Sequence, residues 1–144
     1  MAGEAAASGL RFFTDRGLGS RIVPETLREA GWSLETMDKR YGPDHSQNIQ
    51  DTQWIEEAAL AGDVLLCKDL AIARNALEAQ VIYMTSARVF ALSNASLAGP
   101  VMARWYLDNE VKIVTAALRA LGPYVMSVNP SYSLHRVRLA YPPD

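Results

Sequence analysis

Four acids in this chain stand where a carboxylate can do more than face water. Asp15 follows the β-rich run Arg11-Phe-Phe-Thr14, and Asp69 follows the apolar run Val64-Leu-Leu-Cys67 through Lys68. Asp51 opens a helical pattern directly after a long polar stretch, and Glu78 lies a short way beyond Asp69. If the two runs are neighbouring parallel strands, Asp15 and Asp69 leave the same edge of a sheet, and the polar stretch must bring Asp51 near that edge. Each acid alone has an ordinary explanation. A strand-end aspartate is commonly a turn former or a helix cap, a natural reading for Asp51, and Glu78 fits a solvated helix residue equally well. Together they are harder to dismiss, because like charges at close range are costly unless a cation compensates.

Carboxylates without histidine or thiolate favour hard cations such as Mg²⁺ or Mn²⁺. Such an ion lowers the pKa of a bound water and offsets charge on a phosphoryl oxygen, which is the chemistry of phosphodiester hydrolysis. Arg16, Lys68 and Arg21 adjoin these acids in sequence and are candidates to hold substrate phosphates, although Arg21 reads more simply as a surface charge. Glu56, Glu57 and Asp63 read as solvent-face or turn acids.

Other chemistries find no residues. The two histidines, His45 and His135, are far apart in sequence. There is no Gly-x-Ser-x-Gly elbow and no P-loop, and Asp15-Arg-Gly-Leu-Gly19 lacks the third glycine of a dinucleotide fingerprint. A single cysteine, Cys67, excludes an intramolecular disulfide and a four-cysteine metal site, and its apolar run places it in the core. With 14 cations against 16 acids, the net charge of −2 is not that of a strongly basic nucleic-acid binder. A phosphate partner must be held by a local patch or through a metal. Arginine supplies 11 of the 14 cations, which suits bidentate phosphate contacts.

The elements that must position these residues fit one globular domain of 144 residues, 49% apolar and 21% charged. The expected span is 10–140, with residues 1–9 a disordered leader that has neither the basic start nor the apolar stretch of a secretory signal. No apolar run approaches the ~18 residues of a membrane span, and sparse cysteine fits the cytoplasm. Strands are expected at 11–14, 32–36, 64–67, 80–84, 89–92, 124–128 and 134–139. Helices are expected at 20–30, from Asp51 to Gly62, at 70–77 and over 96–121 with a break at Asp108-Asn109. Trp105 of that long stretch is expected in the core. Residues 37–50 read as a long polar connection without elements of its own. Alternating strands and helices predict an α/β layered fold with a mostly parallel sheet, whose sites lie at the carboxyl ends of the strands.

Three motifs then carry a resemblance. Phe12-Phe13-Thr14-Asp15-Arg16-Gly17-Leu18-Gly19 with Val23-Pro24 and Leu27-Arg28-Glu29-Ala30-Gly31-Trp32 resembles the opening of PIN-like domain proteins, most closely the toxins of VapC type. Asp51-Thr-Gln-Trp54-Ile55 with Ala58 resembles that subgroup's Asp-x-x-Trp-Ile helix start, and Val64-Leu-Leu-Cys-Lys68-Asp69 with Ile72 and Glu78 resembles its strand ending in Thr-Lys-Asp and the acid downstream. The resemblance covers roughly residues 11–130. It implies a three-layer α/β/α sandwich and a Mg²⁺- or Mn²⁺-dependent endoribonuclease, the toxin of a toxin–antitoxin pair and often a homodimer. Carried over, Asp15, Asp51 and Asp69 would be catalytic metal ligands with Glu78 as a fourth. Two departures stand out: Cys67 replaces a hydroxyl residue, and no motif marks an acid in the first helix, where Glu25 and Glu29 are available. The alternatives are a receiver-like signalling domain phosphorylated on a strand-end aspartate, and an inactive PIN-like module that binds a protein.

Overall fold

Alternate residues of the central strands bury into two separate cores, and that sorting makes the architecture. The structure, a computed structural model, describes residues 3–143. Strands β1 (Arg11–Thr14), β2 (Ser33–Thr36), β3 (Val64–Cys67), β4 (Arg88–Leu92), β5 (Tyr124–Asn129) and β6 (Ser133–Val137) form one sheet in the order β2-β1-β3-β4-β5-β6. The first five run parallel, and β6 pairs antiparallel with β5 at one edge. The helices are α1 (Glu4–Ser8), α2 (Ile22–Glu29), α3 (Met37–Tyr41), α4 (Asp51–Leu60), α5 (Ala71–Arg74), α6 (Ala76–Thr85), α7 (Gly99–Asp108) and α8 (Glu110–Arg119).

Phe12, Val64, Leu66, Phe90 and Leu92 pack with α1, α2, α7 and α8, against Val23, Leu27, Tyr106 and Ile113 among others. Phe13, Leu65, Cys67, Val89 and Ala91 pack on the opposite face with α3 to α6, against Met37, Trp54, Ile55 and Ile82. The result is the expected three-layer α/β/α sandwich. All four residues of β3 are buried, as a parallel strand covered on both faces requires. The crossover through α2 leaves β1 over one face and reaches β2 at the edge. The crossover through α4 returns over the other face to β3. The two connections diverge between β1 and β3, and an α/β sheet opens its binding crevice at such a switch point.

Several elements differ from the sequence expectation. Residues 80–84 are helix, not strand, because the side chain of Asn75 accepts from the Glu78 N–H (3.0 Å) and starts α6 there. The expected helix over 70–77 is the short α5 followed by the first turn of α6. The supposed loop 37–50 holds α3 and a 3₁₀ turn at Ser46–Asn48. The break between α7 and α8 falls at Asn109, whose buried amide donates to the carbonyls of Trp105 and Asn129, both at 2.9 Å. Trp105 is only half-buried, and its neighbour Tyr106 takes the core position. Within the expected leader, residues 3–9 are ordered: α1 buries Ala5, and Glu110 of α8 accepts from the Ala5 N–H (2.9 Å). Met1 and Ala2 lie outside the described residues.

Candidate functional site

The crevice between the carboxyl ends of β1 and β3 is where the acids meet. The backbone N–H of Asp15 extends the β1–β3 ladder by donating to the Leu66 carbonyl (3.0 Å). Its carboxylate is held by two backbone donors, Leu18 N–H at 3.1 Å and Lys68 N–H at 3.3 Å. Asp15 therefore caps a 3₁₀ turn, Arg16–Leu18, as the ordinary reading proposed, while presenting its charge at the crevice. Burial pushes its pKa up to about 6, the backbone hydrogen bonds oppose that rise, and the charge of Asp51 adds to it.

Asp51 occupies the first turn of α4 rather than its cap, which is Gln50. Its Oδ1 accepts from the Trp54 indole N–H at 3.0 Å and lies 3.5 Å from the Arg16 guanidinium. Arg16 also donates to the carbonyls of Ser46 (3.1 Å), Gln47 (3.3 Å) and Ile49, so this one side chain pins the 46–51 segment to β1. Glu78 enters from the first turn of α6. Burial raises its pKa to about 7, and the charges of Asp51 and Asp15 push the same way. The buried Cys67 thiol is raised first by desolvation and then by Asp15, Glu78 and Asp51. Carboxylates from the ends of β1, α4 and α6 thus share one field over the end of β3.

Asp69 follows Lys68 just beyond the end of β3. It is exposed, and its Oδ1 turns back to accept from the Ala71 N–H at 2.8 Å. Glu78 stands in the first turn of α6, not at the end of a helix over 70–77. Arg16 holds the loop and Asp51 through its two terminal nitrogens. Lys68 follows β3, with its stem packed beside Gly17, and its ammonium has no ion pair among the described residues. Two residues were missed. The buried Tyr106 hydroxyl donates to the carbonyls of Cys67 (2.6 Å) and Phe90 (3.1 Å), fixing the strand ends beneath the acids. Asp63, set aside as a turn acid, is buried and paired with Arg40 (2.8 Å) and Arg11 (3.5 Å) at the opposite edge of the sheet.

The donor chemistry fits a hard divalent cation: the three acids present only oxygens, and the charge of Asp51 raises the pKa of both Asp15 and Glu78. As they stand, no three His, Cys, Asp or Glu side chains among the described residues converge tightly enough to cage an ion.

Comparison with known proteins decides the family. A family model described as a PIN like domain matches residues 10–94, which carry β1 to β4 and all four acids. The chain belongs to the PIN-like domain family. It is 38% identical over 119 residues to a Mycobacterium tuberculosis protein named "Putative ribonuclease VapC45", across 83% of this chain and 86% of that one. No solved structure matches the chain. Membership takes the place of the receiver-like alternative. Among the described residues, no helix of this PIN-like domain is long and apolar enough to cross a membrane.

Proposed function

We propose that the protein is a Mg²⁺- or Mn²⁺-dependent endoribonuclease that hydrolyses RNA phosphodiester bonds in the cytoplasm, and that it acts as the toxin of a toxin–antitoxin pair. The observation that carries this reading is the shared field of Asp15, Asp51 and Glu78, delivered by three separate elements to one crevice. The relative named as a VapC ribonuclease supports the substrate and the antitoxin partner.

Asp15, Asp51 and Glu78 would hold the cation, with Asp69, exposed just beyond β3, as a further candidate. When bound, the cation supplies acidification of water and charge neutralisation at the phosphoryl group. The chain's own residues do the rest. Two backbone N–H groups fix the direction of the Asp15 carboxylate, and Arg16 with Trp54 fixes that of Asp51. Before the cation binds, Glu78, its pKa raised to about 7, holds a proton around neutrality, which the cation would displace. The Lys68 ammonium is placed to meet an RNA phosphate.

The test is cleavage of single-stranded RNA by purified protein with Mn²⁺, with EDTA, and with Asp15→Asn. Cleavage that needs the metal and collapses in the variant is expected. Equal cleavage in all three conditions would remove the proposal, and metal binding without any cleavage would leave the inactive PIN-like module.

A further inference from the structure

Beside the acids, on the β2 side of Asp15, lies a second feature that metal chemistry does not use. A small cleft of about 110 Å³ opens at the carboxyl ends of β1 and β2, walled by Asp15, Arg16, Ser20, Thr36, Asp38 and Gln47.

Its lining chooses the chemistry of the occupant. Two carboxylates, Asp15 and Asp38, face a guanidinium that gives four of its five N–H groups to the carbonyls of Ser46, Gln47 and Ile49 and to Asp51. A phosphate is repelled there. A neutral group with hydrogen-bond donors is accommodated. Asp38 Oδ1 accepts from the Ser46 hydroxyl at 2.5 Å, which fixes the carboxylate and leaves its other oxygen without a partner among the described residues. The Ser20 hydroxyl and the Gln47 side-chain amide are likewise unpartnered among the described residues, whereas the Gln47 backbone carbonyl is held by Arg16. A fixed acceptor flanked by an adaptable amide is how proteins read the edge of an unstacked base.

We propose that this cleft is a nucleobase subsite, taking the base next to the scissile phosphate, with Asp38 accepting from an exocyclic amino group and Gln47 completing the readout. The inference rests on the ribonuclease reading. It predicts that guanine, adenine and cytosine are favoured over uracil at one position flanking the cut.

The experiment is cleavage of a sequence-randomised single-stranded RNA pool in Mn²⁺, with the cut ends sequenced, for the wild type, Asp38→Asn and Gln47→Ala. Asp38→Asn keeps an oxygen for Ser46 but replaces the free acceptor with a donor, so it should turn the preference toward uracil by roughly tenfold. Gln47→Ala should flatten the preference, because the backbone carbonyl that anchors Arg16 remains. Identical cut-site spectra for all three proteins would overturn the subsite and leave the nuclease intact. So would a spectrum without base preference that depends only on the 2′-hydroxyl at that position, which would make the cleft a ribose site. An uncut pool in both Mg²⁺ and Mn²⁺ would overturn the ribonuclease reading and the subsite with it.

Discussion

At the scale of single residues, the acids differ in what their surroundings ask of them. Asp15 has its pKa raised from 3.8 to about 6 chiefly by burial, and Glu78 from 4.5 to about 7. The folded protein therefore binds protons more tightly than the unfolded chain between about pH 4 and 7. Without metal, its stability should fall as pH rises through that window and level off above it, as urea titrations in EDTA would show. For Asp15 the rise corresponds to at most about 3 kcal/mol. Asp15→Asn should recover part of it at pH 8, less about 1 kcal/mol for the backbone donor left with a poorer acceptor. A variant no more stable than the wild type in EDTA would show that the carboxylate is not strained by its site. In RNA cleavage, Asp15→Asn and Asp51→Asn should each lose roughly a hundredfold or more, and Asp69→Asn less than about tenfold. An Asp69→Asn loss as deep as that of Asp15→Asn would return Asp69 to the metal. Asp15 and Asp51 are legible in sequence because each stands at a strand end or a helix start. The role of Arg16 is not, because its partners are backbone carbonyls of a segment with no apolar period.

At the scale of elements, legibility followed burial. The strands at 11–14, 64–67 and 124–128 and the helix from Asp51 read correctly because their apolar residues are buried in the pattern their structure demands. The stretch 80–84 read as a strand because α6 is apolar nearly all round. Leu77 and Met84 are exposed at 67% and 68% while Ala79 and Ile82 face the core, so no helical stripe stands out. Segment 37–50 was opaque for the opposite reason: only Met37, Tyr41 and Ile49 reach the core, at no regular period, and the Arg16 guanidinium and the Asp38–Ser46 bond order much of the rest. Junctions between elements also set hard limits. A Cβ at Gly122, where α8 hands over to β5, would lie 2.0 Å from the Ser86 carbonyl oxygen, and backbone cannot yield as a side chain does. Gly122→Ala should cost about 3 kcal/mol or more, read as a lowered urea midpoint or loss of soluble protein. At Gly17 an added methyl would meet Lys68 Cβ at 3.0 Å and Asp15 Oδ1 at 3.2 Å. Gly17→Ala should therefore lower cleavage more than it lowers melting temperature, and a proportional loss of both would show that the loop matters only for folding.

At the scale of the whole molecule, the sandwich carries a cluster of like charges at its switch point, and a divalent cation is the simplest compensation. A ligand that binds only the folded state stabilises it by mass action, about 2.7 kcal/mol at a hundred times its dissociation constant. For a chain of 144 residues, that is a rise of roughly 10 °C in melting temperature. Mn²⁺ should produce such a shift in the wild type at pH 8 and a much smaller one in Asp15→Asn or Asp51→Asn. Protons compete for the same oxygens, so the shift should shrink as pH falls through 7 and 6, the values to which Glu78 and Asp15 are raised. A surface-bound ion would give neither the dependence on these two residues nor that pH window. The same melt separates the two PIN-like readings without an RNA substrate. An inactive protein-binding module that has lost its metal would show no Mn²⁺ shift at any pH, and its metal-free stability would still decline from pH 4 to 7, because that decline belongs to the fold and not to the ion.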